Sequence, residues 1–253
     1  MPLESVSGIW SRNAVETEPG LNYNISAYPQ KVKLPADLER HINGAKDPRV
    51  VLTFINGPYT PDPAGTDVWI TSFKSGEGDC DSKAISAVDI CYSYMRDDWI
   101  PMIAMGDAWL SGKSDPNERV VTKHAYNVFV SRRSDDVVVG EPTYLVEGFD
   151  DMGPGSGHII EVKYLLAPGA AIRVEDGRND MGKDTPTHVL NEVLVDAIKR
   201  EVAGIKDVLN KRYDEYVSPL PPAELVQTGT SEYGMPILKI KGETFADSSK
   251  GVQ

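Results

Sequence analysis

Cysteine is scarce in this chain: there are two, Cys80 and Cys91. On one helix their eleven-residue separation would span about 16 Å at 1.5 Å per residue. A disulfide needs Cα atoms within about 7 Å, so a disulfide scaffold is excluded and both must be explained as thiols. Histidine is nearly as rare, with four residues and no Cys/His cluster at zinc spacing, so neither a metal nor an organic cofactor is expected. Runs of positive charge are missing too. Lys and Arg total 26 against 38 Asp and Glu, a formal charge of −12, which argues against a nucleic-acid partner. No apolar stretch approaches the roughly 18 residues needed to span a bilayer, so no membrane partner is expected. Residues 1–20 lack an apolar signal core, so the expected location is cytoplasmic or within an assembled particle.

What the chain does have is ordinary globular composition, 40% hydrophobic and 25% charged over 253 residues. That is enough for one domain with a proper core and some appended structure. Residues 1–33 are polar and read as an arm. A short helix is expected over Ala36 to Ile42. The run Arg49 to Ile55 (RVVLTFI) reads as a buried strand, although seven apolar residues can equally be a buried helical turn. Asn56 to Gly65 reads as a loop.

The clearest helix begins at Cys80 and ends near Arg96. Its less polar residues, Cys80, Ala84, Ala87, Val88, Cys91 and Met95, fall on one helical face. Asp79 is a natural N-cap, and Ser75 to Asp79 is a turn-forming stretch. Short strands follow over 102–105, 125–130, 137–139 and 158–166, an α+β order rather than an alternating one. A second helix opens at Thr185-Pro186 and runs to about Tyr216, weakened at Gly204. Pro219 to Pro222 is a stiff spacer before a tail with one strand-like run, 235–240. The expected organisation is an arm over 1–33, a core over 34–175, a helix over 176–217 and an extended tail over 218–253.

A cysteine in the first turn of a helix meets unpaired N–H groups and the positive end of the macrodipole, which favour thiolate over thiol. Cys80 fits that description, and Gly76 and Gly78 ahead of it would let a substrate backbone approach. The alternative is a small buried residue on the apolar face, which describes Cys91. A reactive thiol needs a base, and His124 opens the strand-like run His-Ala-Tyr-Asn-Val-Phe-Val. A structural histidine at a strand edge is the competing reading. Glu141, in Gly140-Glu-Pro-Thr143, could accept the second imidazole N–H; Glu147 and Asp150 are rivals, and an exposed turn carboxylate is the alternative. The Gly153-Pro-Gly-Ser-Gly157 run lacks the Lys-Ser/Thr ending of a phosphate loop, and His158 after it reads as structural.

Two stretches carry a resemblance: Asn56-Gly-Pro-Tyr through Asp67-Val-Trp69-Ile-Thr71, and Gly76-Glu-Gly-Asp-Cys80-Asp-Ser-Lys-Ala84. Together with His124-Ala125 and Glu141-Pro-Thr143, over about residues 50–145, they resemble the bacterial transglutaminase-like cysteine proteinase family of the transglutaminase-like superfamily. The resemblance implies a papain-like core, with the nucleophile at a helix N-terminus packed on an antiparallel sheet. It implies a Cys80–His124–Glu141 triad acting on amides of a protein or peptide substrate. It also implies a cleft at Gly78 and Asp79, with an oxyanion hole from the Cys80 N–H and an upstream donor. Trp69 stands in the matching position for that donor, or else is a core anchor. The family acid is normally Asp, and the pair after the cysteine is here Asp81-Ser82 instead of two carboxylates. Calcium through Asp79 and Asp81 would leave most of its six to eight oxygens unnamed, and capping and solvent exposure explain both residues without it. A second functional expectation rests on the arm and tail: a structural or assembly component, for example of a virus particle, that forms homo- or hetero-oligomers through them.

Overall fold

The structure is a computed structural model that describes residues 15–18, 21–23, 29–55, 57–58, 78–111, 119–140, 143–145, 159–160, 162–168, 170–174, 187–218, 221–231, 234 and 236–242. The chain opens with strands β1 (Val15–Glu18), β2 (Leu21–Tyr23) and β3 (Val32–Lys33), then helices α1 (Ala36–Ala45) and α2 (Pro48–Ile55), and β4 (Gly57–Pro58). Helix α3 (Cys80–Tyr94) leads into β5 (Trp99–Ser111), β6 (Arg119–Ser131), β7 (Val137–Gly140) and β8 (Thr143–Leu145). Then come β9 (Ile159–Ile160), β10 (Tyr164–Ala167), β11 (Ala170–Arg173), α4 (Thr187–Ala203), α5 (Lys206–Glu215), β12 (Ala223–Thr230) and β13 (Pro236–Ile240). The architecture is α+β. An antiparallel sheet in the order β11-β10-β5-β6-β7, with β9 beside β5, forms the centre.

The run 49–55 corrects its sequence reading, because it is helical. Pro48 takes the first helical position, where its missing N–H costs nothing, and Asp47 Oδ1 accepts the Arg49 N–H at 2.9 Å. Val51, Phe54 and Ile55 then fall on one buried face. Helix α1 outlasts Ile42 and stops at Lys46, whose φ of 51° is left-handed and whose N–H returns to the Ile42 carbonyl at 3.2 Å. Helix α3 agrees with its reading: Asp79 Oδ1 accepts the Ser82 N–H at 3.0 Å. The helix expected from 185 to 216 breaks at Gly204 into α4 and α5.

Residues 223–240, expected as extended tail, instead form the hairpin β12–β13, and β12 pairs in parallel with β3. Ala223, Leu225 and Leu238 join Val32, Leu34, Ile42, Phe54 and Ile90 in one core. The segment before α1 is tied to α3 as well. The N–H groups of Gln30, Val32 and Leu34 donate to Asp89 Oδ1 (2.6 Å), Ser93 Oγ (2.9 Å) and Tyr94 Oη (2.8 Å). An extended strand shows alternate N–H groups on one edge, so three donors two residues apart fit a row of helix side chains. The other edge of this segment serves the hairpin, with the Ala223 N–H donating to the Lys31 carbonyl at 2.7 Å.

Two cores lie on opposite faces of the central sheet. On one, Ile103, Met105, Ala125, Tyr164 and Leu166 pack against Ala84, Ile85 and Val88 of α3. On the other, Ile100, Met102, Ala104, Tyr126, Val128, Val130 and Leu165 pack against Leu194, Ile198 and Val202 of α4 and Leu209 and Tyr213 of α5. The β5–β6 ladder runs without a bulge from Trp99↔Ser131 to Ser111↔Arg119, so the two sets alternate strictly. Pro101 is tolerated inside β5 because β10 pairs only from Ile103 onward, leaving that end of β5 an edge.

Candidate active site around Cys80

Cys80 opens α3 and is partly buried, packing against the Ala84–Ala125–Met105 cluster. Gly78, two residues earlier, has φ 128°, a conformation open to glycine and strained for other residues. The sharp turn into the helix therefore needs the glycine that the sequence supplies. Electrostatics at this helix start are mixed, with a positive helix terminus between the carboxylates of Asp79 and Asp81. Cys91 is a contrast. It sits mid-helix, fully buried, and burial alone pushes its thiol far above the ordinary range.

Helix α3 is held to the sheet by a polar contact inside the core. Asn127 Nδ2 donates to the Ala84 carbonyl at 2.9 Å. Gly140, the residue before Glu141, pairs with Asn127 on the neighbouring strand. A Cβ at Gly140 would stand 2.0 Å from Leu52 Cδ1, so the Leu52 side chain of α2 occupies the space that any larger residue at 140 would claim. β4 runs parallel to β8, with Gly57 opposite Thr143. The backbones of the Asn56-Gly-Pro and Glu141-Pro-Thr stretches thus meet through Gly57 and Thr143, from opposite ends of the resemblance.

The side chain of His124 does not join Cys80. Its ring stacks on Tyr126, with centroids 5.9 Å apart and planes at 27°, so the two share a face of β6. Tyr126 belongs to the core under α4 and α5, whereas Ala125 and Asn127 face α3. The imidazole is 3% exposed and lies on the sheet face opposite the thiol. The Cys80–His124 dyad expected from the sequence is therefore not assembled here. Its physical cause is the two-residue alternation of an unbulged strand: whatever points Ala125 at α3 points His124 away. Glu141, Glu147, Asp150, Trp69, the 153–157 run and His158 lie outside the described residues.

Among the described residues no group of three or more His, Cys, Asp or Glu side chains could hold a metal ion. Asp79, one of the two residues considered for calcium, is occupied as the cap of α3. No described helix is long and apolar enough to cross a membrane. Sequence reasoning missed the polar stripe of α3. Ser82, Ser86, Asp89 and Ser93 recur at helical spacing, and the first three are buried. That periodicity is visible in the sequence, and its C-terminal half, Asp89 and Ser93, receives backbone N–H groups of the segment before α1.

Comparison with known proteins decides nothing further. No family model, no curated protein and no solved structure matches this chain.

Proposed function

We propose that the chain is a cysteine-dependent amide-bond enzyme, a peptidase, amidase or acyl transferase, with Cys80 as its nucleophile. The observation that carries this reading is the placement of Cys80 at the first position of α3. It follows the Gly78 turn and stays partly open, while the second thiol is sealed in the core. Attack by the Cys80 thiolate on a carbonyl would place the developing oxyanion near the first N–H groups of α3. The papain-like arrangement remains part of the proposal, supported by the nucleophile helix packing on an antiparallel sheet.

His124 is the proposed base and Glu141 its proposed partner on the strength of sequence order. For His124 to act, β6 must turn it toward α3, which a one-residue shift of its 119–124 end would do. That requirement favours a second reading, in which the same fold serves as a structural or assembly module and Cys80 does no chemistry.

Iodoacetamide alkylation followed by mass spectrometry separates the readings, with Cys91 as internal control. Rapid labelling of Cys80 at pH 7 that is lost in His124→Ala supports the enzyme with its dyad. Rapid labelling unchanged in His124→Ala keeps Cys80 as the nucleophile and removes His124 as its base. Labelling of Cys80 no faster than that of an unfolded thiol overturns the enzyme and leaves the module.

A further inference from the structure

A cavity of about 320 Å³ lies between the α4–α5 junction and the β6–β7 turn. It sits on the α4 face of the sheet, at the far end of β6 from His124: six residues separate Val130 from His124, about 20 Å along a strand. The floor is aliphatic, formed by Val130, Val137 and Val202. The rim is cationic, formed by Lys199, Arg200 and Lys206. Ligand sites are of this size and kind, mostly apolar with a few polar groups to fix orientation.

Three cations at one small cavity stand out in a chain of net charge −12. Lys199 and Arg200 are exposed, and neither makes an ion pair among the described residues. Lys206 is differently placed. Its Nζ donates to the Ser134 carbonyl and lies 3.3 Å from Asp135 Oδ1, which ties the helix junction to the strand turn. Asp135 is the one carboxylate lining the cavity, and it is already paired with Lys206. Helix α5 also begins here. Its N-cap is Ile205, which supplies no side-chain acceptor, so the positive end of the helix is uncapped by a side chain.

A basic residue in the last turn of a helix offsets the macrodipole, and Arg200 serves α4 in that way. That role does not need an aliphatic hollow beside it, nor Lys199 and Lys206 around the same opening. We propose that the cavity binds a free alkyl carboxylate, its chain on Val130, Val137 and Val202 and its head group between Lys199 and Arg200. The planar guanidinium matches a carboxylate through two parallel hydrogen bonds. The small volume suits a single short chain with a compact head.

The test uses the full chain and four probes read by isothermal titration calorimetry: decanoate, decanol, acetate and decyl phosphate, each below its aggregation concentration. Decanoate is expected to bind, with decanol and acetate at least tenfold weaker. Lys199→Gln/Arg200→Gln alters exposed positions only and adds no negative charge at the end of α4, so it is expected to keep the fold while weakening decanoate at least tenfold. No decanoate binding to the unaltered chain overturns the site. Equal binding of decanol, or decanoate binding indifferent to the double variant, overturns anion recognition. Tighter binding of decyl phosphate overturns the carboxylate assignment. None of these outcomes depends on the chemistry of Cys80, which lies on the other face of the sheet.

Discussion

Asn127 Nδ2 meets the Ala84 carbonyl at 2.9 Å, and both residues are wholly buried. This one bond spans the interface between α3 and β6, one helical turn from Cys80 and three strand positions from His124. It also fixes which face of β6 looks at the helix, since the buried amide N–H finds its partner there, while Asn127 Oδ1 has none among the described residues.

Replacing Asn127 by Ala removes that donor and leaves the Ala84 carbonyl without it, which is expected to cost about 1–3 kcal/mol. Urea unfolding should show a lower midpoint with an unchanged slope. A cost below about 0.5 kcal/mol would mean the bond does not position α3.

Gly140→Ala places a methyl group where Leu52 now lies, with Cδ1 2.0 Å from the new atom. Overpacking of this kind costs about 1–3 kcal/mol. Leu52→Ala alone opens a cavity, so each single variant should be less stable than the parent. In combination the methyl fills part of the space that Leu52 vacates, and the double variant should be more stable than the sum of the two losses. Additive losses would show that α2 does not approach the sheet at Gly140.

How much of this was legible beforehand depends on how many signals agreed at each element. Helix α3 had a cap, a start and a long apolar period, all pointing the same way, and it formed as read. The run 49–55 has only its apolar character, which helix and strand share, and Asp47-Pro48 is the start signal that decides for the helix. Residues 223–225 alternate in burial, but from Val226 on the alternation is lost among Gln227, Thr228, Gly229 and Thr230, so the hairpin was hidden. For the candidate site, residue types and chain order were legible. Strand facing was not, because a sequence cannot say whether Ala125 or His124 points at the helix until a tertiary contact such as Asn127–Ala84 decides it.

Arg96 caps the C-terminal end of α5 from outside the helix. Its Nη2 donates to the Tyr213 and Tyr216 carbonyls at 2.7 and 2.6 Å, and its guanidinium lies 4.8 and 4.9 Å from the rings of Tyr92 and Tyr213. Orphan carbonyls at a helix end are expected to gain from such a cation. Arg96→Met keeps the aliphatic packing and loses these contacts and the longer one to the Asp214 carbonyl at 3.4 Å, with an expected cost of about 2 kcal/mol. Hydrogen exchange should report the loss first in the last turn of α5. Faster exchange spread evenly over the chain, without that local onset, would refute the capping role.

Alkaline pH should unfold this protein sooner than its acidic composition suggests. Burial raises Cys91 far above its ordinary 9.0 and Tyr213 well above its ordinary 10.0. Below pH 9 both groups keep their protons in the folded and the unfolded chain, and their contribution to stability is fully present. Above those values the unfolded chain releases protons that the folded chain still holds, so stability falls as pH rises toward the folded values. The Tyr213 hydroxyl is buried with no hydrogen-bond partner among the described residues. Tyr213→Phe should therefore leave Tm at pH 7 unchanged or slightly raised, since an unsatisfied hydroxyl is removed and the ring retained. The same variant should lose Tm less steeply between pH 10 and 11, and the decline that remains above pH 9 should carry the Cys91 share. Parallel Tm curves for the variant and the parent across that range would show that Tyr213 does not hold its proton in the folded state.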